Sequence, residues 1–589
     1  MDSRPARVAL LEQLEAEGVR YMFGNPGTVE QGFLDELRSF PSIQYILALQ
    51  EATAVGMADG HARATRTPAV LQLHSGVGLG NGIGMLYQAM RGHAPIVTLV
   101  GEAGLRYAGL DAQMAADLVG MAEPVTKWAT RVLDPDSTLR VLRRAFKVAG
   151  TPPYGPVLVV LPADVMDAGT REAVVPVSYP DLHSRPAPDT VAHAAALLAG
   201  ARRPLIVAGD GVHFAGAQPE LARLAEVWGA DVYGADWAEV NLSARHPAYA
   251  GQLGHMFGEQ SRRITGAADG VLIVGTYALP EVFPALYDVF AEGTPVVHVD
   301  LDTDAIAKNF PVDLGIVADP KAALGLLADA LYQEMGEERR AEAAERLRGG
   351  APERAGAPAG APERDPAAGA AQRPPPAAFA RELARQLPPD ALLFDEALTA
   401  SPTLFRHLPP TVPGQWMQTR GGSLGVGIPG ALGAQLAHPD RTVVGFTGDG
   451  GSMYTFQALW TAARYGLPTK FVICNNGSYR LLEDNIEEYW RETGIPAHDQ
   501  PGMFDLSWRK PEPLVPRRWR LEVDERIGAR GEVLRPLDAE EVVRAGTALV
   551  DQGIESVAIC FINSYLNPTH EEEAAAAAPT MLRSTVPPL

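Results

Sequence analysis

Thr447 to Tyr479 reads TGDGGSMYTFQALWTAARYGLPTKFVICNNGSY. The β-branched run leading into it, Thr442 to Phe446 (TVVGF), predicts a strand that ends at Gly448-Asp449-Gly450-Gly451. Lys470 to Cys474 (KFVIC) predicts a second strand, ending at Asn475-Asn476-Gly477. With a helical stretch between them, the two belong to a parallel sheet, whose strand C-terminal ends share one edge. Asp449 and Asn476 then meet on that edge as oxygen donors beside glycine turns. Such donors suit a hard cation such as Mg²⁺ that bridges to phosphates, while glycines let backbone N–H groups and a helix N-terminus approach those phosphates. A backbone carbonyl near Ser478 would complete the protein's share of ligands. GDGG alone is more simply a tight turn; the pairing of two strand ends is what points to a metal.

The same alternation runs outward from this stretch. Residues 1–182 carry apolar runs at Tyr45 to Leu49, Ala69 to Leu73, Ile96 to Val100 and Val157 to Leu161, separated by helical patterns. Residues 187–335 repeat it with PLIVA (Pro204 to Ala208), GVLIV (Gly270 to Val274) and PVVHV (Pro295 to Val299). A third unit, residues 377–507, adds Ala391 to Phe394 to the strands above. The expected fold class is α/β, with three domains of parallel sheet covered by helices, as 589 residues allow at roughly 150 per domain. Residues 345–376 include GGAPERAGAPAGAPERDPAAGAAQRPPP, which is too poor in apolar side chains to offset ordering entropy and is expected to be a flexible linker.

A formal net charge of -21 argues against a nucleic-acid or anionic-membrane surface. The two cysteines, Cys474 and Cys560, lack metal-ligand or CxxC spacing. The charged N-terminal stretch reads as an amphipathic helix leading into a strand, and no apolar run of about 18 residues offers a membrane span. A cytoplasmic protein is expected.

Glu51 lies in YILALQEATAVGMADGHAR, where an apolar strand turns into a helix. By position alone it reads equally as an acid favouring a helix N-terminus and as a buried carboxylate with a chemical task. A lone His74 is by itself more often structural than catalytic. FGNPGT (Phe23 to Thr28), LQEA, LHSGVGLGN (Leu73 to Asn81), ALWTAA (Ala458 to Ala463) and the GDG and NN turns together change that balance. Over about residues 7–507 the chain resembles the thiamine-diphosphate enzymes of the benzoylformate decarboxylase and acetolactate synthase superfamily.

That resemblance implies thiamine diphosphate and Mg²⁺ as cofactors. It assigns Mg²⁺ to Asp449, Asn476 and the main chain of Ser478, and the diphosphate to the turn of Gly448, Gly450 and Gly451. Leu424, in GGSLGVG, takes the place of the residue that bends the cofactor, and Glu51 that of the activating carboxylate. Thr28 replaces a substrate-contacting serine, and His74 matches a histidine that handles protons. The implied reaction is non-oxidative decarboxylation of a small 2-oxo acid through an enamine, with acetolactate synthase-like carboligation as the alternative. The implied assembly is a homodimer or homotetramer with active sites between subunits. One departure stands out: the stretch matching a second catalytic histidine, GTYALPEVFPALY (Gly275 to Tyr287), has none, and His255 is a weak substitute. The middle domain binds FAD in some relatives, but GDGVHFAG (Gly209 to Gly216) matches the dinucleotide fingerprint only in part, so the reading goes against FAD.

From Trp508 the text changes. PLVPR, ERI, GEVLRPLD and SVAICFINSYLNPTHE resemble the N-terminal region of the hydantoinase A and oxoprolinase family, so the third domain reads as truncated and residues 508–589 as a foreign α/β fragment and tail. The fragment is too short to bring that family's activity. Asp538 to Gln552 is expected to be a helix and Ser556 to Ile562 a buried strand, the two docking in place of the missing sheet elements, with a frayed tail after Glu573. If they do not dock, the alternative of another class is an inactive or cofactor-binding chimera.

Overall fold

The computed structural model describes residues 3–235, 237–254, 256–349, 376–494, 515–578 and 583–585. His255 and most of the expected linker lie outside them, and the described part of residues 345–376 includes the end of a helix, Glu337–Arg348.

After helix Ala6–Ala16 (α1), strands Tyr21–Gly24 (β1), Gln44–Leu47 (β2), Ala69–His74 (β3), Ile96–Glu102 (β4), Trp128–Arg131 (β5) and Val157–Pro162 (β6) form a parallel sheet ordered β2-β1-β3-β4-β6-β5. Its central strands are near-continuous apolar runs because helices cover both faces. Alternate residues of β3 serve the two faces: Val70 packs with Leu10 and Leu142, Leu71 with Val55 and Leu86. The latter face is formed by helices Glu51–Thr65 (α2) and Ser75–Arg91 (α3).

The middle sheet is also parallel, with strands Pro204–Ala208 (β7), Asp231–Gly234 (β8), Tyr249–Gln252 (β9), Gly270–Val274 (β10), Val296–Asp300 (β11) and Leu314–Val317 (β12) in the order β9-β8-β7-β10-β11-β12. The third sheet has four strands, Leu392–Glu396 (β13), Trp416–Gln418 (β14), Val443–Gly448 (β15) and Lys470–Cys474 (β16), ordered β14-β13-β15-β16. Helix Gly427–Ala437 (α4) shares one apolar core with α2, where Val55, Met57, Ile428 and Leu432 are all buried. The Tyr465 hydroxyl receives a bond from the Leu47 N–H at 2.9 Å and so ties β2 to the segment before β16.

The C-terminal unit corrects three expectations. The helix is found, as Ala539–Val550, but the strand stops at Ser556–Ala558, and Ile562 is exposed. That strand pairs in parallel with Arg583–Thr585 in a two-stranded sheet, and among the described residues the strands of the third sheet come from 392–474. Two of its three residues are exposed, so it is not the buried strand expected. Nor does the chain fray at Glu573, since helix Thr569–Ala577 continues through it and buries Ala574. Among the described residues, no helix is long and apolar enough to cross a membrane.

Candidate active site

The N-terminal half of the site collects where β1, β2 and β3 end. Gln50 caps α2 by accepting the Thr53 N–H at 3.1 Å, which places Glu51 in the first turn. Glu51 is only 9 % exposed and accepts a bond from Asn81 Nδ2 at 3.1 Å. β3 delivers His74 to the same edge, and the next residue, Ser75, turns the chain into α3 with a left-handed φ of 43°. A non-glycine residue held there stores strain that the surrounding packing must maintain, a pattern common at functional sites.

Thr28 opens a short turn, Thr28–Glu30, that brings Glu30 under His74. His74 Nδ1 lies 2.9 Å from Glu30 Oε2, and the Gly27 N–H donates to the same oxygen at 3.1 Å. Position 27 has to be glycine, because a Cβ there would overlap the His74 ring. Burial pushes the Glu30 carboxyl above the usual range, partly opposed by His74. Thr28, Glu30, Gln72, Leu99 and Met166 line a cavity of about 310 Å³. Sequence reasoning missed Glu30; its signal was an acid three residues after a loop glycine, placed to accept back from that glycine's N–H.

The second half is built on β15 and β16. Gly448 pairs with Cys474, so the turns after these strands adjoin as expected. Asp449 opens helix Asp449–Thr455 (α5), and its Oδ2 accepts the Gly477 N–H at 3.2 Å. In the same turn Asn476 Oδ1 accepts from the Ser478 N–H at 3.1 Å. Space around Gly448 is open, Gly450 meets only the Tyr479 ring, and Gly451 packs against Thr447. A carboxylate and an amide oxygen in adjoining turns are the donor types of a hard cation that also takes phosphate oxygens. Leu424 is half-buried on the loop before α4.

A second residue that sequence reasoning missed, Glu396, ends β13 at 1 % exposure. It accepts from the N–H groups of Gly425, Val426 (3.3 Å) and Gly427 (2.7 Å), and from the Thr447 hydroxyl at 3.1 Å. Burial pushes it up to about 7, against the pull of these donors.

Glu51 bonds to Asn81 and Asp449 to Gly477, and among the described residues no hydrogen bond joins these two pairs. In the middle-domain turn GDGVHFAG, the Asp210 carboxylate accepts from the Ala238 and Glu239 N–H groups, Asn241 and Arg420.

Comparison with known proteins matches residues 6–121 to the thiamine pyrophosphate enzyme N-terminal TPP binding domain, 191–327 to its central domain and 399–504 to its C-terminal TPP binding domain. Residues 487–582 match the hydantoinase/oxoprolinase N-terminal region, a match that begins ahead of Trp508. The chain is 30 % identical to benzoylformate decarboxylase of Pseudomonas aeruginosa over 500 residues, 84 % of this chain and 89 % of that one. It is 29 % identical to the acetolactate synthase isozyme 3 large subunit of Escherichia coli over 490 residues, 81 % and 83 % of the two. In fold it is similar to the thiamine diphosphate-dependent 4-hydroxybenzoylformate decarboxylase of Rhodococcus jostii, with a TM-score of 0.72 and 24 % identity over 99 % of each chain.

Proposed function

Because the chain belongs to the thiamine pyrophosphate enzyme family, we propose that it decarboxylates a small 2-oxo acid non-oxidatively, using thiamine diphosphate and Mg²⁺. The observation that carries this reading is the placement of Glu51, a buried carboxylate at the head of α2 with Asn81 orienting it. When bound, the cofactor supplies the electron sink that lets CO₂ leave.

The chain's own groups divide the remaining work. With the cofactor bound, Glu51 would hold or give up a proton at its carboxylate toward the aminopyrimidine. Asp449, Asn476 and the Ser478 carbonyl would hold the metal, the glycines at 448, 450 and 451 would admit the diphosphate, and Leu424 would support the cofactor. The Thr28 hydroxyl contacts substrate. With Nδ1 of His74 engaged by Glu30, Nε2 is the nitrogen left to move protons at the reacting carbon. The full site forms between subunits of a homodimer or homotetramer, an assembly favoured by the apolar Met453, Phe456 and Trp460 exposed on the third domain.

Two other outcomes have support. The acetolactate synthase relative favours carboligation at the same site. The four-stranded third sheet, with exposed Ile473 on its last strand, favours an inactive or cofactor-binding chimera. A panel of 2-oxo acids with thiamine diphosphate and Mg²⁺, scored for CO₂, aldehyde and acyloin, separates them. Aldehyde with CO₂ is expected; acyloin as the main product selects carboligation. No turnover despite measured cofactor binding selects the chimera.

A further inference from the structure

The loop that carries Leu424 cannot set its own shape. Gly421, Gly422 and Gly425 have left-handed φ values of 77°, 74° and 100°, and so many glycines in one loop leave a large conformational freedom to be overcome. Its two ends are nevertheless held by buried carboxylates from different domains.

At its start, Arg420 Nη1 donates to Asp210 Oδ2 at 3.1 Å, with the two side chains only 5 % and 1 % exposed. Asp210 is itself fixed by Asn241 Nδ2 at 2.8 Å and by the Ala238 N–H at 3.0 Å. The neighbouring backbone is tied to the same middle-domain segment, since the Gln418 N–H donates to Ala238 O at 2.9 Å. Arg63, near the end of α2, completes the junction by donating to Glu239 at 2.9 Å and to Gln418 O at 3.2 Å. At the other end, Glu396 gathers the N–H groups of residues 425–427 and reaches the Thr447 hydroxyl, two residues before Asp449.

We infer that Asp210 and Glu396 are positioning residues that clamp the two ends of the Leu424 loop, so that the middle domain, through Arg420, sets the seat of the cofactor. The glycine turn at 209–211 then serves this junction and not a nucleotide. Ion pairs this deep cost desolvation, and a role in fixing one geometry accounts for their retention better than stability does. The clamp stands on the contacts alone, whereas the consequence for the cofactor rests on the function proposed above.

The test is hydrogen–deuterium exchange of the full chain without cofactor, together with thiamine diphosphate binding in the presence of Mg²⁺, followed by tryptophan fluorescence. In Glu396→Gln an amide replaces one accepting oxygen, so amides 425–427 are expected to exchange about tenfold faster. Arg420→Met is expected to loosen residues 418–424 similarly, and Arg420→Lys, which keeps the charge, to recover part of the protection. In each loosened variant the cofactor Kd rises by about tenfold, as a loop that must be reordered on binding requires. Should Arg420→Met fail to fold, Thr447→Val removes one donor from Glu396 and is expected to speed exchange at 425–427. Unchanged exchange in both Glu396→Gln and Thr447→Val overturns the clamp. Loosened amides with unchanged cofactor affinity overturn its link to the cofactor. A wild-type chain that binds no thiamine diphosphate refutes the proposed function instead, whatever the amides do.

Discussion

His74 Nδ1 and Glu30 Oε2 sit 2.9 Å apart, with the Glu30 side chain 4 % exposed and the imidazole 16 %. A carboxylate on one ring nitrogen fixes the tautomer and the ring plane, leaving Nε2 for the substrate side. Glu30→Gln is therefore expected to lower kcat by about tenfold to a hundredfold with little change in KM. His74→Ala costs more, and the double variant should be no worse than His74→Ala, because the two act as one unit. Additive losses in steady-state kinetics would show that Glu30 works elsewhere.

Glu51 and Asp449 should fail in opposite ways. Glu51→Gln leaves the metal and diphosphate groups untouched, so cofactor affinity is expected to persist while turnover falls by about a hundredfold or more. Asp449→Ala removes the one carboxylate of the metal set, so cofactor binding weakens and becomes dependent on excess Mg²⁺. Titration calorimetry beside steady-state rates checks both, with wild-type turnover in Glu51→Gln as the result that removes its assignment.

Much of the frame was legible because parallel strands write themselves as apolar runs: Pro204–Ala208 and Gly270–Val274, buried throughout, and the half-exposed edge strand Lys470–Cys474 were bounded as found. Of the strands that were not anticipated, WATR at 128–131, YAGQ at 249–252, LGIV at 314–317 and WMQ at 416–418 lie at sheet edges, where partial exposure leaves them no such run, while DVYG at 231–234 is internal but alternates buried with half-buried residues. The neighbouring turns of Asp449 and Asn476 were readable because both follow strands that pair. Glu30, Glu396 and Asp210 were not, since each acts across a separation that only the folded chain closes, and a single acid in a loop carries no period. The C-terminal strand failed for the converse reason: an apolar run at 556–562 predicts burial only if a neighbour is there to bury it.

Asp59, on α2, is fully buried, and neither carboxylate oxygen has a hydrogen-bond partner among the described residues. Burial pushes its pKa up from 3.8 to about 6, opposed by Arg63. The folded chain therefore keeps a proton that the unfolded chain releases between these values, so stability falls as pH rises through that window. Above it the ionised group costs about 3 kcal/mol. Asp59→Asn, which does not titrate, is expected to raise Tm by about 2–4 °C or more at pH 8 and much less below pH 4. Equal shifts at both pH values, by differential scanning calorimetry, would contradict a buried ionising carboxyl.

The proposed assembly puts Glu51 and Asp449 of one site on different subunits, and the third domain offers a surface for it: Met453, Phe456 and Trp460 are 67 %, 50 % and 39 % exposed on and beside α5. Apolar side chains clustered in this way mark an interface. If Glu51 of one subunit works with Asp449 of another, a dimer joining a Glu51→Gln chain to an Asp449→Ala chain has one site with both substitutions and one with neither. Mixing the two inactive variants with subunit exchange makes half of the dimers mixed, and activity should return to about a quarter of wild type. Trp460→Arg should abolish that recovery and shift the chain to monomer in size-exclusion chromatography. A site complete within one chain would give no recovery on mixing, because every chain would carry its own defect.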